Sequence, residues 1–348
     1  MSNLKVATIN DASGGSNAVL YGVAAPVGSM GNRNRIINGD MRIDQRNAGA
    51  SVTTSSGTTV YTLDRWQAIY SQTSKFTVQR NAGSVTPPAG FTNYLGITSS
   101  SAYSVGASEQ FNIHQIIEGF NVADLGWGAA GAQSVTLSFW VRSSLTGTFG
   151  GVLLNDGKSR AYPFTYTISA ANTWEQKTVT IAGDTSGTWK TDTSAGVFVS
   201  FGLGVGSTVS ATAGSWTGAG NIFGATDATS VVGTNGATFY ITGVQLEAGS
   251  VASPFERRDY GRELMMCQRY LWKLDASNGA NINGNTYPLA TLTTANVWLP
   301  VTQRAAGTLT YTIGGGSLNS ATASANNVVF IGPSGGFYLT AAMSAAEL

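Results

Sequence analysis

The segment Thr238-Phe-Tyr-Ile-Thr-Gly-Val-Gln-Leu246 decides the fold class of this chain. Apolar and polar residues alternate along it, which is the pattern of a buried strand in a β-sheet. Pro254 then marks a turn, and a short amphipathic pattern follows over residues 259–274. We expect a large β domain to end at this junction and a short helix to begin there.

The composition indicates a β-rich protein with few charges. The chain has 348 residues, of which 42% are hydrophobic and 11% are charged. The charged fraction is well below the roughly one quarter that is usual in globular proteins. The net charge is +1 and no basic stripe occurs, which disfavours nucleic acid as a partner. No apolar run reaches the length of a membrane span, and the N-terminus lacks a secretory signal core.

Short runs of alternating residues, separated by Gly, Asn, Ser and Thr loops, predict the strands of the large domain. These runs are 60–63, 66–70, 76–79, 94–98, 109–117, 135–142, 151–155, 162–168, 175–181, 197–205 and 238–246. Many short strands at such spacing are typical of a β-sandwich or jelly roll. No long amphipathic helix interrupts the set, which disfavours an α/β fold.

We therefore predict an all-β protein built from consecutive parts. Residues 1–32 form an extended N-terminal arm that pairs with another subunit or docks on a larger assembly, because so short a segment buries little by itself. Residues 33–258 form a jelly-roll β-sandwich. Residues 259–274 form a helical connector, and residues 275–348 form a small C-terminal β domain.

The helical connector has an apolar and a charged side. Its charged side suits a helix surface with ion pairs and carries Arg257, Arg258, Arg262 and Arg269 together with Asp259 and Glu263. The alternative is a seam between subunits, in which Leu264 and Leu271 line a trimer axis. Cys267 is the single cysteine of the chain, and we expect it to be a small buried apolar residue on this helix.

Three segments resemble bacteriophage tail-fibre and receptor-binding proteins. They are Asn38-Gly-Asp-Met-Arg-Ile-Asp-Gln-Arg-Asn47 with Leu63-Asp-Arg-Trp66, then Val135-Thr-Leu-Ser-Phe-Trp-Val-Arg-Ser-Ser144, then residues 244–270. The last two also resemble strands of the carbohydrate-binding jelly rolls that are attached to polysaccharide enzymes. The resemblance implies a virion protein, usually a homotrimer, whose jelly roll binds a glycan of the host surface. It also implies that the N-terminal arm contacts other virion proteins.

Carbohydrate-binding jelly rolls of this kind often hold a structural calcium ion through an acidic residue on the final strand. Here Ile241-Thr242-Gly243 occupies that place, and Asp40 is the acid that remains near the first strand. Because a calcium site takes about six or more oxygen ligands, the ligand count disfavours calcium. We expect no other cofactor.

The candidate sugar-binding residues are aromatic side chains in loops, because sugars stack their C–H faces on exposed rings. Trp127, Trp189 and Trp216 each stand between turn residues, and Tyr162 follows the turn that contains Asp156. We predict that these rings are exposed and bind carbohydrate, with polar side chains such as Asp156 taking the hydroxyl groups. The alternative is that the rings close the ends of the sandwich or lie at a subunit interface.

Trp140 is a further candidate and lies inside a strand. It shares one face with Ser138 and Arg142, and that face either lines a binding groove or packs in the core or an interface. The opposite face is predicted to be core and carries Leu137, Phe139 and Val141.

No catalytic arrangement is evident. His114 is the only histidine and stands in an apolar strand, and no G-x-S-x-G elbow occurs. Glu109 and Glu118 fall on opposite faces if one strand joins them, which does not suit the paired carboxylates of a glycosidase. With one cysteine, the common structural zinc sites cannot be built. We expect a satisfied or surface histidine, no catalytic residue and no metal site.

The favoured function is thus a non-catalytic fibre protein of a phage virion that binds a host glycan during adsorption. The first alternative is a purely structural virion protein, such as a capsid-decorating protein, a head fibre or a tail adaptor. The second alternative, which the missing motifs disfavour, is a polysaccharide hydrolase.

Overall fold

A computed structural model describes residues 33–55, 58–274, 285–286, 292–305, 309–315, 320–324, 326–333 and 338–343. From Asn34 onwards they belong to one compact unit, Asn34–Leu348. The predicted arm, residues 1–32, lies outside the described residues. The fold class is the predicted one, because the described chain is an all-β jelly-roll sandwich with one short α-helix and small C-terminal sheets.

The sandwich consists of two six-stranded sheets and a small two-stranded sheet beside them. The strands of this part are β1 (Val52–Thr53), β2 (Thr59–Tyr61), β3 (Trp66–Tyr70), β4 (Phe76–Arg80), β5 (Leu95–Ser99), β6 (Gln110–Glu118), β7 (Val135–Ser143), β8 (Gly147–Leu154), β9 (Ala161–Ile168), β10 (Glu175–Ile181), β11 (Ala195–Val205), β12 (Ser210–Ala211), β13 (Gly224–Ala225) and β14 (Thr238–Ala248). Strands β12 and β13 pair with each other in parallel and form the small sheet. The first sheet has the order β1-β4-β5-β14-β7-β10, and the second has the order β2-β3-β6-β11-β8-β9. Neighbouring strands in both sheets are antiparallel.

The hydrophobic core lies between the two sheets and follows from the two-residue alternation of the strands. On β7, Leu137, Phe139 and Val141 are fully buried, as predicted, whereas Trp140 on the opposite face is half-buried. The ring of Phe139 meets that of Phe201 on β11 edge to face, with centroids 5.0 Å apart. Aromatic pairs of this geometry bridge the two sheets.

A β-bulge at Gly243 shapes the outer face of the first sheet. The register between β14 and β7 shifts between Thr242 and Gln245, and Gly243 has a left-handed φ of 61°. A Cβ at this position would lie 2.6 Å from Cζ of Phe91 and 3.2 Å from Cδ1 of Trp140. Glycine is therefore required both by the backbone angle and by the two neighbouring rings.

Residues 34–45 dock on β14 beside this bulge. The Arg35 N–H donates to the Leu246 carbonyl at 2.8 Å, and the Asn34 side chain donates to the Val244 carbonyl at 3.0 Å. A Cβ at Gly39 would overlap the Val244 carbonyl oxygen, so only glycine permits this approach of two backbones.

The helix α1 spans Tyr260–Gln268 and is shorter than the predicted connector. The Asp259 carboxylate caps it by accepting the Arg262 N–H at 2.9 Å. After the helix, Trp272–Leu274 forms strand β15. The prediction of a helical connector over residues 259–274 is therefore wrong at its C-terminal end, where the chain enters a new sheet.

The apolar side of α1 packs on its own chain. Cys267 is buried, as predicted, and forms a small cluster with Ile37 and Ile43, against which Leu264 packs. Leu271 is 2% exposed. Leu271 is therefore not available to line a trimer axis, whereas Leu264 is only half-buried; the alternative of a seam between subunits stays a prediction.

Two ion pairs, one of them buried and one half-buried, join the helix region to the sandwich. Glu118, at the end of β6, accepts hydrogen bonds from Nη2 of Arg269 at 2.6 Å and from the Tyr270 hydroxyl at 2.7 Å. Arg258 lies 3.3 Å from the Glu263 carboxylate, and both side chains are buried. The predicted ion pairing is confirmed for Arg258 and Glu263. Their predicted position on a helix surface is wrong, because the backbone of Ile36 and Asn38 covers and hydrogen-bonds them.

The described residues of the C-terminal part form two small sheets. Its further strands are β16 (Asn285–Thr286), β17 (Leu292–Trp298), β18 (Leu309–Gly315), β19 (Ser320–Ala323), β20 (Asn327–Pro333) and β21 (Tyr338–Met343). One sheet has the order β15-β21-β18, and the other has the order β16-β17-β20-β19. The Arg304 guanidinium donates to the Thr193 carbonyl at 2.9 Å, which ties this part to the sandwich. Within the described ranges, no helix has the length and apolarity that a membrane crossing needs.

Candidate functional site

Several loops meet at one end of the sandwich. They are residues 119–134, 155–160, 182–194 and 212–220. The Gly128 N–H donates to the Asp184 carbonyl at 2.7 Å, and the Asn155 side chain donates to the Thr188 carbonyl at 3.1 Å. Hydrogen bonds between loops hold this end of the molecule in one arrangement.

Three of the predicted site residues form a single cluster at this end. We refer to Trp127, Trp189 and Trp216 as the tryptophan cluster. The ring centroids lie 4.7 Å apart for Trp127 and Trp189 and 5.4 Å apart for each of the other two pairs, with interplanar angles of 73° to 80°. Tyr162 joins the cluster edge to face, with its centroid 5.2 Å from that of Trp216. The rings thus stabilise one another by edge-to-face contacts.

The indole nitrogens of the tryptophan cluster are all bonded within the protein. Nε1 of Trp127 donates to the Gln133 carbonyl at 2.7 Å, that of Trp189 to the Ser186 carbonyl at 3.1 Å, and that of Trp216 to the Ala182 carbonyl at 2.7 Å. All three rings are half-buried and pack against the main core. The part of each ring that faces solvent therefore offers carbon surface rather than a free donor.

Tyr162 differs from the tryptophans in its exposure. Its side chain is buried, with 8% of its surface exposed, and burial raises the pKa of its hydroxyl. The prediction that this ring is exposed is therefore wrong, because the Trp216 loop covers it. Asp156 is exposed in the turn between β8 and β9, beside Asn155, whose amide bonds to the Trp189 loop.

An ion pair between the half-buried Arg160 and the buried Asp184 links two of the loops at this end. Arg160 donates through Nε to one Asp184 oxygen at 2.8 Å and through Nη2 to the other at 2.7 Å. This bidentate hydrogen bonding raises the pKa of Arg160. Asp184 also accepts the Ser186 N–H at 3.1 Å. The pair fixes the β8–β9 turn to the loop that carries Trp189, and neither residue has a local sequence pattern that predicts this contact.

A cavity of about 160 Å³ opens beside the tryptophan cluster. Trp127 and Trp189 line it together with Val122, Lys190 and Thr191. Its volume is that of about five water molecules in the liquid. Apolar ring surface next to the ammonium group of Lys190 and the hydroxyl of Thr191 gives this end both stacking and hydrogen-bonding capacity.

The structure places Trp140 elsewhere. It lies on the outer face of the first sheet, opposite Gln176 on β10 and Thr242 on β14. Among the described residues it makes no ring contact with the tryptophan cluster. The predicted site residues therefore fall into two separate regions of the sandwich.

His114 is held by neighbouring groups, as predicted. Its Nε2 lies 2.6 Å from Oε1 of Gln67, and its ring meets Phe198 edge to face. Burial lowers the pKa of His114 to about 3. The imidazole is therefore neutral and bonded to an amide rather than to a nucleophile or a carboxylate.

The acid near the first strand has an internal cation beside it. Asp40 forms an ion pair with Nε of Arg42 at 2.5 Å, and burial raises the pKa of Asp40 in spite of this arginine. Within the described part of the chain, no group of three or more His, Cys, Asp and Glu side chains is placed to hold a metal ion.

No protein-family model matches the chain, and no curated protein matches it. Solved structures match at low similarity. The enzymatically active domain of tailspike protein 4 from bacteriophage CBA120 matches with a TM-score of 0.34 and 13% identity, over 62% of this chain and 22% of that chain. The N-terminal cellulose-binding domain of Cellulomonas fimi β-1,4-glucanase C matches with a TM-score of 0.27 and 11% identity, over 60% and 99% of the two chains.

The CBM22-1 xylan-binding domain of Paenibacillus barcinonensis Xyn10C matches with a TM-score of 0.27 and 12% identity, over 59% of this chain and 99% of that chain. This chain thus spans about a fifth of the tailspike domain and nearly all of the two binding domains. Likenesses at this distance carry no argument on function, which rests on the residues of the chain itself.

Proposed function

We propose that the protein is a fibre protein of a phage virion that binds a glycan of the host cell surface and performs no chemistry on it. The tryptophan cluster carries this proposal, because it brings three half-exposed rings together at one end of the sandwich, and two of them, Trp127 and Trp189, line a cavity. The phage assignment rests on the resemblance of the three sequence segments. In this function the arm, residues 1–32, attaches the protein to other virion proteins.

The binding mode follows from the geometry of the site. Sugar C–H groups stack on the exposed ring surface, and Lys190, Thr191 and nearby backbone groups take the hydroxyls. Because the indole N–H groups are bonded to the protein, few polar contacts are left for one sugar, and each site binds weakly. A homotrimer presents three such sites, and their linkage raises the overall affinity.

One observation favours a structural function as the second candidate. Edge-to-face packing and internally bonded indole nitrogens are also what a plug at the end of a sandwich needs. In that case the protein is a capsid-decorating protein, a head fibre or a tail adaptor. A hydrolase stands third, because the buried carboxylates of Glu118 and Asp184 each face an arginine.

A glycan array with matched tryptophan variants tests the proposal. Trp174 is the control, because it is also half-buried, donates its indole N–H to the Thr86 carbonyl at 2.9 Å and meets Tyr94 edge to face. Trp189→Ala should weaken glycan binding by about tenfold, as loss of a stacked ring does. Trp174→Ala should lower the free energy of unfolding by about as much as Trp189→Ala does, and it should leave glycan binding unchanged.

The same protein is then applied to host cells with and without periodate oxidation of their surface sugars. Saturable binding that periodate abolishes supports the proposal. A folded protein that binds neither cells nor the array overturns it in favour of the structural candidate.

A further inference from the structure

A second pocket lies on the outer face of the first sheet, away from the tryptophan cluster. It has a volume of about 270 Å³ and is lined by Asp40, Arg42, Phe91, Thr92 and Arg257, among others. This volume is that of about nine water molecules in the liquid. The pocket combines three arginines, Arg42, Arg257 and Arg258, with an aromatic wall in a chain that has few charges.

Arg257 is the residue that distinguishes this pocket. Its guanidinium carbon lies 4.8 Å from the centroid of Phe91 and 5.8 Å from that of Phe255, and the two rings meet edge to face at 5.2 Å. Arg257 is exposed, and within the described ranges no carboxylate lies within ion-pair distance of it. Cation–π contacts thus hold the planar guanidinium group of Arg257 at the pocket, and its N–H groups remain available to donate hydrogen bonds to a ligand.

The other charges around the pocket neutralise one another. Arg42 pairs with Asp40 and also donates to the Arg258 carbonyl at 3.0 Å. The Arg258 guanidinium is buried between the Ile36 carbonyl and the Glu263 carboxylate. Arg258 also lies 3.5 Å from the Glu256 carboxylate, and the Asp40 carboxylate is attracted by the charge of Arg257. In the described part of the chain, Arg257 is the lining arginine that has no carboxylate within ion-pair distance, so its guanidinium is the group that can pair with an incoming anion.

Trp140 lies next to this pocket. The missing Cβ of Gly243 leaves room in which the Phe91 and Trp140 rings approach the same point of β14. Trp140 is half-buried, so part of its ring faces solvent beside Phe91. The bulge thus places a flat apolar surface next to a cationic fork.

We propose that this pocket binds an acidic sugar residue, a hexuronate of a host polysaccharide, whose carboxylate pairs with Arg257. The guanidinium fork matches a carboxylate through two parallel hydrogen bonds. The sugar ring then lies against Phe91 and Trp140. The site is separate from the tryptophan cluster, so it adds selectivity for acidic glycans to whatever that cluster binds.

The test is a calorimetric titration with oligogalacturonate, with the matched neutral galactose oligosaccharide and with inorganic phosphate. Oligogalacturonate should bind, and Arg257→Gln should weaken that binding at least about tenfold, because a charge-assisted hydrogen-bond pair is lost. Arg257→Lys should bind with intermediate affinity, since the charge stays and the fork is lost. Arg262→Gln, on the exposed side of α1, is the matched control and should change nothing.

Three results would overturn the proposal. The first is that the neutral oligosaccharide binds as tightly as oligogalacturonate. The second is that inorganic phosphate binds the pocket as tightly as oligogalacturonate does. The third is that Arg257→Gln binds oligogalacturonate as tightly as the unchanged protein. Trp189→Ala separates the two sites. If that variant abolishes oligogalacturonate binding and Arg257→Gln does not, the acidic sugar belongs to the tryptophan cluster, and this pocket is not its site.

Discussion

Replacing Gly243 by alanine tests whether the bulge in β14 is set by its neighbours or only by its backbone angle. The added Cβ would lie 2.6 Å from Cζ of Phe91 and 3.2 Å from Cδ1 of Trp140. Two non-bonded carbon atoms cannot remain 2.6 Å apart, so the Phe91 ring or the strand must move. The same substitution also forces an L-residue into the left-handed region at a φ of 61°.

Gly126 provides a matched control for the backbone contribution. Its φ is 63°, and a Cβ there would meet nothing within 4 Å. Gly126→Ala should therefore lower the free energy of unfolding only by the cost of the left-handed conformation, about 1–2 kcal/mol. The smaller conformational entropy of the unfolded chain offsets about 0.4–1 kcal/mol of this loss. Both contributions are shared by Gly243→Ala, which adds an overpacking cost of about 1–3 kcal/mol.

The assay is urea unfolding of both variants and of the unchanged protein. The difference between the two variants should be about 1–3 kcal/mol in the free energy of unfolding, with Gly243→Ala the less stable. In the background of Phe91→Ala, the cost of Gly243→Ala should fall most of the way to that of Gly126→Ala, because the 2.6 Å contact is gone and only the 3.2 Å contact with Trp140 remains. Equal costs for the two glycines in the unchanged background would refute the argument that the rings require glycine.

Two further predictions concern buried charges. The pKa of His114 is about 3 in the folded chain and about 6.5 in the unfolded chain. The neutral imidazole therefore contributes its full stability above pH 6.5, and the free energy of unfolding should decrease by about 2 kcal/mol as the pH is lowered from 7.5 to 5. Urea unfolding should show this loss, and His114→Gln should remove it. Asp184→Asn should cost about 3 kcal/mol, because Arg160 loses its buried partner, and should shift tryptophan fluorescence to the red as the cluster loosens.

Most of the sandwich follows from periodicity alone. Strands such as β7 and β14 alternate strongly, and their predicted bounds agree with the structure within two residues. The prediction 151–155 for β8 was displaced, since the strand spans Gly147–Leu154. The run Gly147-Thr-Phe-Gly-Gly151 has the composition of a loop, but a Cβ at Gly151 would overlap the Phe164 ring. Glycine is needed at position 151 because the strand packs against Phe164 of β9. The local sequence around Gly151 does not show this contact.

The two-residue strands β1, β12 and β13 could not be predicted, because they are too short to show a period. The helix boundary failed for another reason. Residues 272–274 continue an apolar pattern that suits a helix, but they pair with β21 near the C-terminus. A contact between segments so far apart in sequence overrides local preference.

The site was predictable in its members but not in its arrangement. Turn residues around Trp127, Trp189 and Trp216 indicated loop aromatics, yet only the folded chain brings the three loops together. Phe91 was missed, although it stands between Gly90 and Thr92 as the tryptophans stand between their own turn residues. Applying the same criterion to phenylalanine would have found it. Arg257 had no such signal, because its importance comes from rings that other segments supply.

Whether the tryptophan cluster is a plug or a binding platform depends on what a sugar needs from it. Stacking uses the carbon surface of a ring and not its N–H, so internal bonding of the indole nitrogens does not prevent it. That bonding instead fixes the rings before a ligand arrives, which lowers the entropy lost on binding. The Arg160–Asp184 pair, with Asp184 only 1% exposed, fixes the loops in the same way. A plug needs no cavity beside it, and the space lined by Trp127 and Trp189 therefore favours the platform.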